Sequence, residues 1–207
     1  MSLPALDPGA RPETRAVLMI LEALVTTTDA DGGLHLAPMG PWVTDDFTRF
    51  TLRPFPTSNT YQNLVRRPEG VLHVTDDVLL LARAAVGQLP EAPPARPAEC
   101  VSGFVLEDCC RYFEFVVRSA DASGPRVRLE AEVVRAGRVR DFFGFNRAKH
   151  AVVEAAILAT RLHLIPLAEV AVEFAKLRVI VGKTGGPAEH RAMEMLETKL
   201  REAEGRR

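Results

Sequence analysis

From Ala16 to Val25 the chain is almost wholly apolar, a run whose period alone separates neither helix from strand. Its continuation favours a strand. Thr26, Thr27 and Thr28 are β-branched, Asp29 to Gly33 forms a turn with two adjacent glycines, and Leu34 to Gly40 resumes as a second extended run. The pattern predicts a hairpin. Glu22, the lone acid of the first run, is expected at a barrel rim or against an arginine, because burying an unpaired carboxylate is costly. Pro38 and Pro41 cannot both donate to a ladder, so this part of the second run belongs at an edge or bulge. The free backbone groups of such an edge suit a flat hydrogen-bonding ligand, and a proline edge that merely blocks aggregation fits equally well.

Arg49 to Arg53 alternates, with Arg49, Thr51 and Arg53 on one face and Phe50 and Leu52 on the other. Pro54, Pro56, Thr57, Ser58, Asn59 and Thr60 follow, then a helical turn carrying Leu64, then a strand over Gly70 to Val74. Thr75-Asp76-Asp77 reads as an N-cap with acids in the first turn of a helix Val78 to Val86, closed by Gly87; this dipole role is preferred to metal binding. Leu89 to Ala98 contains Pro90, Pro93, Pro94 and Pro97 and reads as a stiff connecting loop.

Two strands are predicted over Cys109 to Arg118 and Val127 to Val134, joined by a turn at Ser119 to Pro125. The second has Arg126, Arg128, Glu130 and Glu132 on a wet face and Val127, Leu129, Ala131 and Val133 on a dry one. Beyond Phe145 the period becomes helical. Asn146 caps a helix to about His163, with Val152, Val153, Ala156, Ile157 and Thr160 inward; a second helix spans Leu167 to Leu177. A third opens after Gly185-Gly186 with Pro187 and Glu189 in its first turn, buries Met193, Leu196 and Leu200, and exposes a Glu197–Arg201 pair. The residues therefore predict an α+β protein: an antiparallel barrel or sandwich followed by a helical appendage of about 60 residues. Residues 1–13, with Pro4, Pro8 and Pro12, read as a flexible tail.

Composition narrows the function. A chain of 207 residues with 47% hydrophobic and 26% charged positions has an ordinary globular make-up. Its formal net charge of -1 offers no global attraction to nucleic acid or an anionic membrane. No apolar run has membrane-spanning length and the N-terminus lacks a signal-peptide layout, so a cytoplasmic protein is expected. Cys100, Cys109 and Cys110 fit no zinc spacing and are expected as reduced thiols, two of them buried, rather than as a redox pair.

The five histidines, at 35, 73, 150, 163 and 190, form no ligand-spaced pair, so no metal site is expected. Val181 to Gly186 fails as a phosphate-binding P-loop, since Leu177 stands where the first glycine belongs; it reads as an interhelical loop, with Lys183 as a spare cation. Asn146-Arg147-Ala148-Lys149-His150 places cations at a helix start, which suits an ion pair or interface. No Ser, Cys or Lys lies in a nucleophile motif, so no catalytic residue is assigned and any chemistry falls to a bound cofactor. The best candidate site is the corner from Thr51 to Leu64. An arginine, clustered hydroxyls and a helix N-terminus there offer what a phosphate monoester requires, although such hydroxyls more often only cap a helix.

Several stretches carry a family resemblance: Leu21-Glu22-Ala23 through Thr28, Leu36 to Gly40, Arg53-Pro54-Phe55 with Thr57, and Thr60 to Leu64. Phe145-Asn146-Arg147-Ala148 through Thr160-Arg161-Leu162 and Lys183 to Gly186 complete it. Together, over roughly Val17 to Leu200, they resemble the family known as domain of unknown function 447, similar in fold to the FMN-binding split barrels that include flavin reductases and pyridoxine phosphate oxidases. The resemblance implies a six-stranded antiparallel Greek-key split barrel over residues 14–140 and a small helical domain over 141–207. It implies a homodimer with FMN in a groove near the interface. Arg53, Thr57, Ser58, Asn59, Thr60 and Tyr61 would hold the phosphate, Arg53 replacing the lysine usual in related enzymes, and Ala37, Pro38, Met39 and Gly40 would lie along the isoalloxazine. Two functions then stand side by side. One is an FMN-dependent oxidoreductase with an unidentified small-molecule or electron-transfer partner; the other is a non-catalytic flavin-binding or assembly protein, linked at family level to one-carbon metabolism.

Overall fold

A computed structural model describes residues 19–206, so the expected tail at 1–13 and the start of the first apolar run lie outside the described residues. Among these the chain forms β1 (Met19–Ile20), β2 (Ala23–Thr28), β3 (Leu34–Met39), β4 (Trp42–Val43), β5 (Arg49–Leu52) and α1 (Asn59–Arg66). Then follow β6 (Glu69–Val74), α2 (Val78–Val86), β7 (Ala95–Pro97), β8 (Phe104–Leu106), β9 (Arg111–Asp121) and β10 (Arg128–Arg138). The chain closes with α3 (Arg147–Ala159), α4 (Leu167–Thr184) and α5 (Pro187–Glu204).

Eight strands form one antiparallel sheet in the order β1-β4-β5-β10-β9-β6-β2-β3. The expected count of six is corrected by the predicted hairpin itself, each of whose arms is interrupted. Leu21-Glu22 divides the first arm into β1 and β2, and Gly40-Pro41 divides the second into β3 and β4. The arms stay together across the break through Leu21 N–H donating to the Pro41 carbonyl at 3.1 Å. Because β2 pairs with β6 while β4 pairs with β5, this one broken hairpin joins both ends of the order and curls the sheet into a half-barrel.

Period-two alternation divides the sheet between two cores. Val25, Leu72, Phe113, Phe50, Leu52 and Leu129 fill the inside, where the Phe50 and Phe115 rings meet edge to face at 5.1 Å. Their neighbours Leu24, Val71 and Tyr112 face outward and share a second core with α2, α3, α4 and α5. β2 is thus buried along its whole length. Gly70 marks the tightest approach: a Cβ there would stand 2.8 Å from both the Phe115 ring and the Thr26 carbonyl oxygen.

The helix caps follow the sequence. Asp77, expected among the acids of the first turn, is itself the N-cap of α2 and accepts from Leu79 and Leu80; Gly87 ends the helix at φ 69°, and Asn146 accepts from Ala148 and Lys149 at the start of α3. Other expectations change. Thr51, on the face it shares with Arg49 and Arg53, is buried, and its hydroxyl donates to Glu130 at 2.9 Å. The proline-rich stretch contains β7, which pairs with β8 in a separate two-stranded ribbon. The inward face of α3 is Ala148, Ala151, Val152, Ala155, Ala156 and Ala159, so Thr160 is exposed. The stretch expected as an interhelical loop is largely the last turn of α4, where Val181 is buried and the Thr184 hydroxyl bonds the Ile180 carbonyl. Glu197 pairs with Arg178 across helices rather than with Arg201.

Asp76 does not lie in the first turn of α2. It is buried, paired with Arg140 at 2.7 Å, and accepts Phe143 N–H at 2.6 Å. Burial alone would raise its pKa, but the Arg140 and Phe143 bonds and the nearby Lys149 outweigh that and hold it below the usual carboxylate range. Asn146 reaches the Thr184 carbonyl at 3.1 Å and Lys149 pairs with Glu189 at 3.1 Å, so the basic start of α3 serves the ion-pair role expected of it.

Candidate functional site

Arg53 emerges directly from β5, and its guanidinium lies 4.4 Å above the ring of Trp42, the first residue of β4. The register explains the meeting, since Trp42 pairs with Thr51 two positions back along β5. Trp42 follows Gly40-Pro41, so the strand carrying Ala37, Pro38 and Met39 leads across that break to the ring beneath Arg53. Val127 N–H donates to the Pro54 carbonyl at 3.1 Å and Arg126 Nη1 to the Arg53 carbonyl at 3.4 Å, fixing the exit from β5 against the start of β10.

The hydroxyls do not act alike. Ser58 is the N-cap of α1: its Oγ accepts Tyr61 N–H at 3.2 Å and donates to the Phe55 carbonyl at 2.8 Å. Thr60 is buried, with Oγ1 3.4 Å from Nε2 of His35 on β3. Thr57 and Asn59 are exposed and Tyr61 is half-buried against the inner core. The first four N–H groups of a helix lack an intrahelical acceptor. In α1 Ser58 takes Tyr61 through its side chain and Gln62 through its carbonyl, which leaves those of Asn59 and Thr60.

β3 is an edge strand whose one neighbour in the sheet is β2, with Val25, Leu24 and Ala23 opposite Ala37, Pro38 and Met39. Gly40 is exposed, and a Cβ there would meet the Ile20 side chain at 3.2 Å. α1 is tied to the hairpin at one further point, where Asn63 Nδ2 donates to Thr27 Oγ1 at 2.9 Å, and Arg66 holds Asn63 from within the helix by donating to its side-chain Oδ1. A cavity of about 400 Å³ lies beside this junction, lined by Asp29, Asp31, His35, Asn59, Asn63 and Arg66 among others. Burial lowers the His35 pKa, with Asp29 opposing the shift. Two carboxylates on its wall make this cavity a poor anion site. The positive corner is the neighbouring one at Arg53, where no described carboxylate pairs with Arg53 or Arg126.

Glu22 is exposed at the break in the first arm. Partial burial raises its pKa, with a further rise from the Glu154 carboxylate, and among the described residues no arginine pairs with it. Cys109 and Cys110 are buried and Cys100 is exposed, all as free thiols. Burial, with Cys110 adjacent, pushes the Cys109 thiol up to about 11, so it is a poor nucleophile. Among the described residues no group of three or more His, Cys, Asp or Glu is arranged to hold a metal ion. No helix among the described residues is long and apolar enough to cross a membrane. The local sequence pattern did not reveal Trp42, Phe55, Arg126 or His35 as neighbours of the corner. The one available signal was that Trp42 is the only tryptophan and directly follows the proline-broken edge.

A curled antiparallel half-barrel joined by a broken hairpin, with helices behind, is similar in fold to solved flavin reductases. The flavin reductase HpaC complexed with NADP+ matches with a TM-score of 0.52 at 17% identity, over 64% of this chain and 85% of its own. The styrene monooxygenase flavin reductase from Pseudomonas putida S12 matches with a TM-score of 0.50 at 12% identity, over 58% of this chain and 82% of its own. The chain belongs to the DUF447 family, described as proteins of unknown function: its N-terminal domain matches residues 21–140 and its C-terminal part residues 146–198. The FMN-bound protein MM1853 from Methanosarcina mazei, also of DUF447, matches with a TM-score of 0.73 at 22% identity, over 87% of this chain and 94% of its own. No curated protein matches the sequence significantly.

Proposed function

We propose that this protein binds FMN, with the phosphate in the β5–α1 corner and the isoalloxazine along β3. The reading rests on the Arg53–Trp42 stack and the short segment that follows it: a cation fixed on a ring, then an exposed hydroxyl at Thr57 and the uncapped N–H groups of Asn59 and Thr60 at the start of α1. The fit divides the predicted residues into two roles. Arg53, Thr57 and the N–H groups of Asn59 and Thr60 would hold the phosphate, whereas Ser58 and the buried Thr60 hydroxyl position the helix start, and Tyr61 packs below it. Ala37, Pro38, Met39 and Gly40 would present unpaired edge backbone to the polar rim of the ring.

FMN, when bound, supplies hydride or single-electron exchange, and no protein nucleophile is needed. The side chains of this chain bind, orient and shield it. The FMN-bound relative in the same family and the flavin reductases of like fold support an oxidoreductase reading. We take residues 14–140 as the flavin-binding unit and 141–207 as a helical unit behind it, in a soluble cytoplasmic homodimer that places the open edge of β3 near its interface. Purified protein tests the reading: it should carry, or take up stoichiometrically, a flavin with the FMN absorbance spectrum, bleached by NADH or NADPH. Protein that stays colourless after incubation with FMN contradicts it.

A further inference from the structure

The outer lip of the same corner has a feature that FMN leaves unused. Phe55 stands between Pro54 and Pro56, about half exposed, and the Arg126 guanidinium lies 4.1 Å above its ring. The two prolines fix the backbone on either side of Phe55. The Val127 N–H bond to the Pro54 carbonyl holds the Arg126 segment alongside. Arg128, 5.8 Å from the Trp42 ring, pairs with Glu130, whereas Arg126 has no carboxylate partner among the described residues. The corner therefore holds three arginines, two aromatic rings and one nearby carboxylate. One phosphate monoester needs Arg53 and the start of α1, not a second cation mounted on an exposed phenyl ring.

Resting on the FMN reading above, we infer that Phe55 and Arg126 form a nucleotide subsite, so that the corner also takes FAD, in which the flavin phosphate continues into a diphosphate and an adenosine. Arg126 meets the second phosphate as a charge-assisted donor, and Phe55 offers the adenine a flat apolar surface. As a purely structural pair the stack would contribute little, because exposed cation–π contacts are weak.

The test is a titration of the protein with FMN and, separately, with FAD, followed by quenching of Trp42 fluorescence. Wild-type protein is expected to bind FAD at least as tightly as FMN, and added salt should weaken FAD more. Phe55→Ala and Arg126→Gln should each weaken FAD by about tenfold while changing FMN by less than about twofold. Both side chains are exposed, and an unchanged melting temperature verifies folding. Wild-type protein that binds FMN much more tightly than FAD, or variants that lose both flavins equally or neither, overturns the subsite and leaves the FMN reading standing. Failure of wild-type protein to bind either flavin overturns both.

Discussion

The guanidinium of Arg53 stacks on the indole of Trp42 at 4.4 Å, and so joins the end of one strand to the break in the hairpin that closes the sheet. The stack holds the cation over the corner before any ligand arrives, which reduces the ordering cost of binding. Replacing Arg53 with alanine removes a charge-assisted contact of about 1.5–3 kcal/mol, so FMN affinity should fall by roughly 10- to 100-fold. Equilibrium dialysis of Arg53→Ala measures it, and the melting temperature should move little because the side chain is only half-buried.

Asp76 anchors the chain beyond β10. Its carboxylate takes Arg140 and Phe143 N–H, and its carbonyl takes Lys149 Nζ at 2.7 Å. Asp76→Ala removes one of the two carboxylates that pair with Arg140, leaving Asp108, and also frees Phe143 N–H; it should cost about 2 kcal/mol, less than a fully buried pair because Arg140 is a third exposed. Urea denaturation gives the loss. Limited proteolysis should show new cleavage between Arg138 and Asn146, whose aromatic residues Phe142, Phe143 and Phe145 are exposed.

His73 is fully buried between β2 and the ribbon, with Nε2 accepting Leu106 N–H at 3.1 Å and Nδ1 placed 3.4 Å from the Leu24 carbonyl. Burial lowers its pKa to about 4, against the opposing Leu24 bond. The native state therefore favours the neutral ring. The stability this represents is fully present above the unfolded-state value of about 6.5 and is lost as pH falls from there towards 4, by up to roughly 3 kcal/mol. Urea midpoints of wild type and His73→Gln should converge over that window; parallel curves contradict the assignment.

Gly70 lies where β6 passes under Phe115, and the Thr26 carbonyl 2.8 Å from its would-be Cβ belongs to a fully buried strand that cannot yield. Gly70→Ala should destabilise by about 1–3 kcal/mol, the usual cost of overpacking. Gly182→Ala, with nothing within 4 Å in the last turn of α4, should be neutral or slightly stabilising. Paired thermal melts compare them.

The local grammar of the chain was readable where one residue type has one task. Gly87 and Asn146 bound their helices as their capping chemistry dictates, and Pro38 lies on an edge strand because it cannot donate. What depended on partners far along the chain was not readable. Asp76 meets Arg140 from 64 positions away, which overrides its local appearance as a helix-start acid. Thr51 is buried, and its hydroxyl finds its acceptor in Glu130 across the sheet. The breaks at Leu21-Glu22 and Gly40-Pro41 do not disturb the hydrophobic pattern, so two arms were counted where four strands lie. At the site the hydroxyl cluster was visible, but not its division between exposed Thr57, capping Ser58 and buried Thr60. Nor did spacing show that Arg126 would cover Phe55, a contact made by the pairing of β10 with β5.

Trp42 is the only tryptophan, and it lies beneath the proposed phosphate ligand. Titrating wild-type protein with FMN while following its fluorescence therefore addresses the central claim without assuming a reaction. Saturable quenching at one FMN per chain, weakened by at least about tenfold in Arg53→Ala, is the predicted result. Fluorescence unchanged at saturating FMN, or quenching of equal affinity in Arg53→Ala, contradicts the placement of the flavin phosphate at this corner.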